Sequence, residues 1–527
     1  MQYRFRLDDR TTCADPASFW QPHSSDGASV VYDPNRFAWS DHDWRGVPLE
    51  QLAIYEVDVG RFTPEGTFDA VIPRLPALRD LGITAVELTS IAQFATDESG
   101  GLRCEHCCAA QHAFGGPDGL QRLVDACHAH GMAVIVDLAQ GPSNSPLEGV
   151  GQTHAINGDD SYETAAPPVA SDGVAAEHVR RFARDAARHW ISHFHLDGLR
   201  LSLLDSDLDP WEKQILVDLQ QVVSEVQSGT GRRTHLIARS PRHDVGFLDP
   251  PSEGGCGLDA VWNDDFHHAL HVLLTGDREG AYADFGDPHR QIVKALNQTF
   301  VFDGFCSHLR GKPYSAPAGG HDGRHFVISL QESTTLRRRP QGDRLSTRIR
   351  PEQLRMAAVL MLMAPHIPLI FMGDEYGERQ PFPRSQGGGC TPSSTAESES
   401  VHGNDDAGIA WQWDGSQQNG LRRLHADLLA LRRTLPPLRD FQNRTARIIP
   451  AQDGYTFLHL ARGDGEASFG TVHVWFNWND RELALPGKLS DRAHPLLSSE
   501  SLHYGGTRNP QRPVTTLAPY EFAIFGT

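Results

Sequence analysis

Long hydrophobic runs are the first thing this sequence lacks. None of its 527 residues lies in an uninterrupted apolar stretch approaching the roughly 20 needed to cross a bilayer. The opening Met1–Arg6 has no apolar segment of the kind that begins a secretory signal, so no export is expected. Cysteine is sparse as well. Eight Cys in 527 residues cannot make a disulfide framework, and a reducing, cytoplasmic compartment is expected. Positive charge is also in short supply: 48 Lys and Arg stand against 67 Asp and Glu, a formal charge of −19. A chain so acidic repels phosphate backbones and anionic lipid, which excludes nucleic acid and membrane surfaces as partners. No internal repeat is present.

Apolar material itself is plentiful. Hydrophobic residues make up 39% of the chain, with ten Trp and 24 Phe, enough for a large core. Short β-rich runs recur at Leu52–Val57, Ala85–Leu88, Ala133–Leu138, Gly198–Leu204, His235–Ala238, Leu258–Trp262, Phe326–Leu330 and Pro368–Met372. Helical patterns separate most of them, among them Phe68–Leu81, Asp118–His130, Val174–His195 and Trp211–Val226. Strands alternating with helices predict right-handed crossovers and a parallel sheet. Eight of them predict an α/β fold, a closed (β/α)8 TIM barrel, with its site at the carboxyl ends of the strands. Beyond a helix at Leu421–Leu435, alternating runs broken by turn residues predict a C-terminal antiparallel β-sandwich. The expected organisation is a linker or remnant over 1–50, the barrel over 51–440 and the sandwich over 441–527. Within the barrel, the irregular stretch 385–407 reads as a mobile loop.

Two clusters have the residue types of metal sites. Cys104-Glu105-His106-Cys107-Cys108 packs four soft ligands into five residues, but no second ligand pair accompanies it. It reads as a surface loop with free thiols. His267, His268 and His271 lie close on one helix without the H-E-x-x-H pattern and its carboxylate base, and read as hydrogen-bonded histidines. No metal and no cofactor is expected.

At the strand ends the sequence resembles the α-amylase superfamily, glycoside hydrolase family 13, and within it the trehalohydrolases. The resemblance is carried by Ile54–Glu56, Phe62–Phe68 (FTPEGTF), Ala113–Pro117 (AFGGP), Asp197–Leu201 (DGLRL), Trp262–His271 (WNDDFHHALH) and Phe371–Gly377 (FMGDEYG). It runs over nearly the whole chain from Tyr3 onward. It implies a barrel preceded by an N-terminal β-sandwich, of which this sequence opens at the last strand, Tyr3–Asp8. A module of roughly 100 residues is then expected to be missing.

The resemblance also implies a retaining hydrolysis, with one carboxylate as nucleophile, a protonated carboxyl as acid and a third carboxylate gripping the sugar. Those three positions fall on Ser202, Arg239 and Thr334. A hydroxyl without an adjacent base is a poor nucleophile, and a guanidinium keeps its proton at working pH. The family's sugar-binding Tyr-Asp falls on Leu102-Arg103, and its Asn-His on Gly141-Pro142. No catalytic residue is therefore assigned, and a catalytically degenerate protein is expected. Its role would be that of a partner subunit, a regulator or a glucan-binding scaffold in trehalose or α-glucan metabolism. An α-glucan or maltooligosaccharide ligand and a protein partner of the same superfamily are the implied contacts. The alternative is an active trehalohydrolase, glycosidase or transferase with relocated carboxylates, drawn from Asp58, Asp205, Asp207 and Glu332.

Ligand contacts in the old cleft are expected from Arg103, Asp137, Arg200, Arg239, Trp262, Asp264, Asp265 and Glu332. Arg200, having lost its family partner, is expected to pair with Asp137 or Glu332. Trp262 either stacks on a sugar or simply ends a strand. Asp264 or Asp265 is expected to cap the helix that starts at Phe266. Glu332 is expected to face away from the site. Arg103 and Arg239 are expected to make the pocket cationic and suited to an anionic ligand such as a sugar phosphate.

Overall fold

The computed structural model describes residues 1–7, 11–23, 27–89, 91–96, 102–138, 173–202, 210–240, 244–304, 306–307, 312–313, 315–339, 341–382, 416–451, 456–464, 470–485, 494–508 and 514–527. Its centre is a closed parallel barrel of eight strands: β1 (Ile54–Asp58), β2 (Ala85–Thr89), β3 (Ala133–Leu138), β4 (Gly198–Ser202), β5 (His235–Arg239), β6 (Ala260–Trp262), β7 (Phe326–Ser329) and β8 (Ile367–Phe371). Each strand pairs with its sequence neighbours, and β8 closes on β1 through Leu369↔Ile54 and Phe371↔Glu56. The eight runs legible in the sequence are these eight strands.

The alternation of side chains builds two cores at once. One face of the strands supplies Ile54, Ala85, Ala133, Ile135, Ile237, Ala260, Trp262, Val327, Ile367 and Leu369, which fill the barrel interior together with Val47, Leu49 and Leu52. The other face, including Tyr55, Val57, Val86, Leu88, Val134, Val136, Leu199 and Leu201, packs against the surrounding helices. Strands buried on both faces are largely apolar, so they read as near-continuous hydrophobic runs.

The main helices are α1 (Gly116–Ala129), α2 (Gly173–His193), α3 (Pro210–Thr230), α4 (Asp264–Thr275), α5 (Pro351–Met363) and α6 (Ser416–Thr434). The helix expected over Phe68–Leu81 is broken. It runs as Phe68–Val71, a 3-10 turn at Ile72–Arg74, and Leu75–Leu81. Pro73 and Pro76 lack the N–H donors a continuous helix would use. Gly82 ends it at φ 103, donating to the carbonyls of Arg79 and Leu78.

After the barrel comes a five-stranded antiparallel sheet: β9 (Arg444–Pro450), β10 (Thr456–Arg462), β11 (Val472–Asn477), β12 (His494–Ser498) and β13 (Phe522–Gly526), in the order β9-β10-β11-β13-β12. One face joins the main core through Leu458, Leu460, Val474, Phe476, Phe522 and Ile524. On the other, Phe457, Ala523 and Phe525 meet Leu483 and Leu517 of a two-stranded sheet, which completes the sandwich. Ahead of the barrel, Gln2–Tyr3 pairs with Ser29–Val30, and Phe5–Leu7 with Thr11–Cys13.

One expectation is overturned here. The Cys104–Cys108 stretch is no surface loop but part of a strand, Leu102–Ala110, paired antiparallel with Ala92–Thr96. Cys107 and Cys108 are buried. Their carbonyls accept hydrogen bonds from Trp190 Nε1 at 2.9 Å and His189 Nε2 at 3.0 Å, which seat the strand on α2. The stretch 385–407 lies outside the described residues, as do Asp205, Asp207, Gly141 and Pro142.

Candidate functional site

The carboxyl ends of the barrel strands bring together a dense charged lattice. Parallel pairing sets Arg200 of β4 beside Asp137 of β3, and Ser202 beside Arg239 of β5. The same periodicity that fills the lower barrel with Ile and Ala puts Glu56 and Glu87 on the inner face higher up.

Arg200 is fully buried and donates from Nη1 to Glu87. Its Nη2 lies 3.1 Å from Asp137 Oδ2 and 3.8 Å from Glu332 Oε2. Asp137 was an expected partner, whereas Glu87 was not foreseen. The signal was available: Glu87 is the one charged residue in the apolar run Ala85–Leu88. A buried carboxylate in such a run needs a counter-charge.

Arg239 also has its fork occupied. Nη1 donates to Glu332 Oε2 at 2.8 Å and Nη2 to Oε1 at 2.5 Å, a bidentate pair. Asp264 Oδ1 lies 3.8 Å away. Glu332 therefore faces into the site, contrary to expectation. The reason is that β7 ends at Ser329, so strand alternation no longer governs Glu332, which leads into the short helix Ser333–Arg338. Thr335 Oγ1 donates to Glu332 Oε1 at 3.0 Å.

Trp262 lies beneath both guanidinium groups, with Arg200 Cζ 4.8 Å and Arg239 Cζ 5.5 Å from its ring. The Trp is 1% exposed, so its face is spent on the two arginines rather than offered to a sugar. The cap of α4 is Asn263, whose side chain accepts from Phe266 N, and not Asp264 or Asp265. Asp264 and Asp265 occupy the first turn, where their charge suits the helix dipole. Asp265 also accepts from the backbone N–H groups of Val301 (2.7 Å) and Phe302 (2.9 Å), anchoring that loop.

Ser202 is half-buried, 3.4 Å from Asp137 Oδ1. Ser333 Oγ donates to Glu56 at 2.6 Å. Thr334, in the first turn of the helix after β7, is half-buried. Asp58 is held by Arg61 at 3.0 Å and Arg337 at 2.8 Å. The side chains of Leu102 and Arg103 lie outside the described residues.

Burial dominates the electrostatics. It pushes the Glu56 carboxyl well above the usual range, and the neighbouring Glu332 and Glu87 push it further. Burial raises Glu87 to about 7 against the pull of Arg200. Burial opposes the charge on Arg200, but Asp137, Glu87 and Glu332 outweigh it and raise its affinity for the proton. The same holds for Arg239 through Glu332 and Asp264. Around Arg200 and Arg239 stand Glu56, Glu87, Asp137, Glu332 and Asp264. A free cationic pocket, as expected from Arg239, is not what the lattice presents, because its guanidinium is neutralised in place.

Two histidines of α4 are hydrogen-bonded: His267 Nδ1 meets the Leu330 carbonyl at 2.6 Å, and His271 Nε2 meets Asp277 at 2.8 Å. Among the described residues no group of three or more His, Cys, Asp or Glu is arranged to hold a metal. No helix among them is long and apolar enough to cross a membrane.

A closed (β/α)8 barrel with its charged residues at the strand ends, followed by an antiparallel β-domain, defines a protein of the α-amylase class. The α-amylase catalytic-domain profile matches residues 30–141. The chain is 37% identical over 385 residues to the malto-oligosyltrehalose trehalohydrolase of Saccharolobus solfataricus, covering 72% of this chain and 66% of that protein. It is 34% identical to the Arthrobacter ramosus protein of the same name, over 85% of this chain and 82% of the other. A solved Salmonella typhimurium structure, described as a candidate α-amylase, superposes with a TM-score of 0.79 at 26% identity, over 100% of this chain and 90% of that one. The chain belongs to the malto-oligosyltrehalose trehalohydrolase family of the α-amylase superfamily.

Proposed function

We propose that this protein is a catalytically degenerate trehalohydrolase-like barrel that binds α-glucan, as a scaffold, regulator or partner subunit in trehalose or α-glucan metabolism. The observation that carries this reading is the closed ion pair between Arg239 and Glu332. Arg239 stands where the family resemblance expects the proton donor, and a guanidinium bound bidentately to a carboxylate donates no proton to a leaving oxygen. Ser202, at the expected nucleophile position, carries a hydroxyl where a retaining hydrolysis needs a carboxylate, and it donates to Asp137 Oδ1 at 3.4 Å. Glu332 takes the place of Asn in the Q-N-H-D pattern matched by Gln331–Thr334. The two replacements thus answer one another in charge, as compensated changes do. A maltooligosaccharide is the ligand that the relatives' names support. A second protein of the superfamily is the partner proposed on fold analogy.

The test is an assay of trehalose release from maltooligosyltrehalose and of glucose or shortened chains from maltooligosaccharides. Release at the level of a buffer blank is expected, with micromolar to millimolar maltooligosaccharide binding by calorimetry. Turnover abolished by Glu332→Gln would overturn the reading.

One observation favours a second reading. Asp137 and Glu332 both reach Arg200 Nη2, at 3.1 and 3.8 Å, which holds the two carboxylates within about 7 Å of each other, a spacing that glycoside hydrolysis can use. On that reading these two carry out a relocated hydrolysis. Turnover that is lost in both Asp137→Asn and Glu332→Gln would establish it.

A further inference from the structure

At the amino-terminal face of the barrel, away from the site, one histidine is caught between two carboxylates. His128, in the last turn of α1, meets Asp41 Oδ2 through Nδ1 at 2.8 Å and Asp197 Oδ2 through Nε2 at 2.9 Å. The ring is 1% exposed, and the carboxylates 3% and 2%. A carboxylate only accepts, so an imidazole bonded to one through each nitrogen carries a proton on both.

The two carboxylates belong to different parts of the chain. Asp197 leads into β4 and accepts from Val134 N of β3 at 2.8 Å. Asp41 belongs to the strap 37–52, which runs beneath the barrel and supplies Val47, Leu49 and Leu52 to its interior. Trp44 of the strap stacks on His128 at 4.7 Å and donates from Nε1 to Asp197 at 2.7 Å. Trp39 stacks on His195 at 3.8 Å, and His195 Nδ1 also meets Asp41, at 2.8 Å.

We propose that His128 is an imidazolium latch, bridging Asp41 to Asp197, which holds the 37–52 strap on the barrel and releases it when alkaline pH removes the ring proton. On release the proton goes to solvent base, one of the two carboxylates loses one of its donors, and two buried negative charges face a neutral ring.

Other titratable groups face the same strap. His195 is kept neutral chiefly by burial, and donates to Asp41 without adding charge. Arg232 Nη1 lies 3.8 Å from Asp41 and is the second cation facing the pair. His235, at the start of β5, binds the Val47 carbonyl of the strap at 2.8 Å; burial opposes its charge, but Asp259 outweighs it and raises its affinity for the proton. The Cys127 thiol, beside Asp197, is held protonated by burial. Burial works against the charge on His128, but Asp197 and Asp41 outweigh it and raise its folded value above 6.5. Stability from the latch is therefore full below 6.5 and is lost as pH rises through the folded value.

Hydrogen–deuterium exchange of the whole chain between pH 6 and 10, corrected for intrinsic rates, tests this. Peptides spanning 37–52 are expected to lose protection tenfold or more on the alkaline side, while β10 and β11 keep theirs. Asp41→Asn is expected to leave 37–46 unprotected already at pH 7, with the pH dependence there gone, whereas Val47, held by His235, keeps its own. Carbon-13 NMR of the histidines reads the charge on His128 directly and stands even where that variant fails to fold. A neutral His128 at pH 7, a strap protected evenly across the range, or simultaneous loss in strap and sheet would each overturn the proposal.

Discussion

Arg239 lies with its guanidinium fork on the carboxylate of Glu332, at 2.8 and 2.5 Å, with the face of Trp262 beneath it. Both side chains are buried, 11% and 1% exposed. A buried pair of this kind is asymmetric in its energetics. Removing one partner leaves an uncompensated charge, whereas removing both can cost little. Glu332→Ala or Arg239→Ala is therefore expected to cost about 3–5 kcal/mol. The double replacement by Met is expected to cost much less than the sum. A double-mutant cycle in urea checks the coupling, and additive losses would contradict a direct pair.

The second prediction concerns pH. Burial raises the carboxyls of Glu375 and Asp374 to about 7, against ordinary values of 4.5 and 3.8. Glu87 stands at about 7 for the same first cause. A carboxyl raised in the folded state contributes stability that is whole below its unfolded value and lost as pH rises through the folded one. Stability from these groups is therefore expected to fall between about pH 4 and pH 7. Glu375→Gln, which can still accept from Tyr55 and Gly373, should flatten that slope in thermal melts. An unchanged slope would remove Glu375 as a contributor.

Two buried arginines, one on α6 and one on the C-terminal sheet, dock on the barrel by donating to backbone carbonyls. Arg432, on α6, donates to the carbonyls of Leu362 (3.0 Å), Ala364 (2.7 Å) and His366. Arg462, on β10, donates to those of Met363 (2.6 Å), Leu438 (3.1 Å) and Asp440 (2.5 Å). Four of these six carbonyls lie at or just beyond the carboxyl end of α5, where the helix dipole favours a cation. Burial lowers the Arg432 value to about 10 with no acid nearby to oppose it. Arg432→Met is expected to cost about 3 kcal/mol or more, since each orphaned carbonyl costs about 1–3 kcal/mol. Arg432→Lys should recover little, because a single ammonium cannot span the three acceptors of a planar fork. Denaturant midpoints decide it.

Gly323 and Gly131 form a contrasting pair. A Cβ at Gly323 would sit 1.4 Å from the Pro365 carbonyl oxygen, just ahead of β8, where the backbone has no room to yield. Gly131, at φ 74, has nothing within 4 Å. Gly323→Ala is expected to destabilise by about 3 kcal/mol or to prevent folding. Gly131→Ala should pay only the left-handed backbone cost of about 1 kcal/mol. Soluble yield and thermal midpoints of the two variants check the ranking.

The sequence by itself determined the strands. All eight are visible as apolar runs because a parallel barrel buries both faces of each strand, and burial on both sides leaves its mark on every residue. It also carried the family, through segments such as DGLRL and WNDDFHHALH, and it pointed to Asp137 as a partner of Arg200. What only the tertiary structure decided was which charges meet. Glu87 and Arg200 are 113 residues apart, and Arg239 and Glu332 are 93 apart. Their pairing depends on barrel closure and on strand register, which no local pattern encodes. Glu332 was misread for a related reason, since its orientation is set where β7 ends and not by strand alternation. The latch at His128 was equally silent in the sequence, because nothing local links Asp41 and His128 to Asp197, the first residue of the DGLRL segment, until the fold buries the three side chains together.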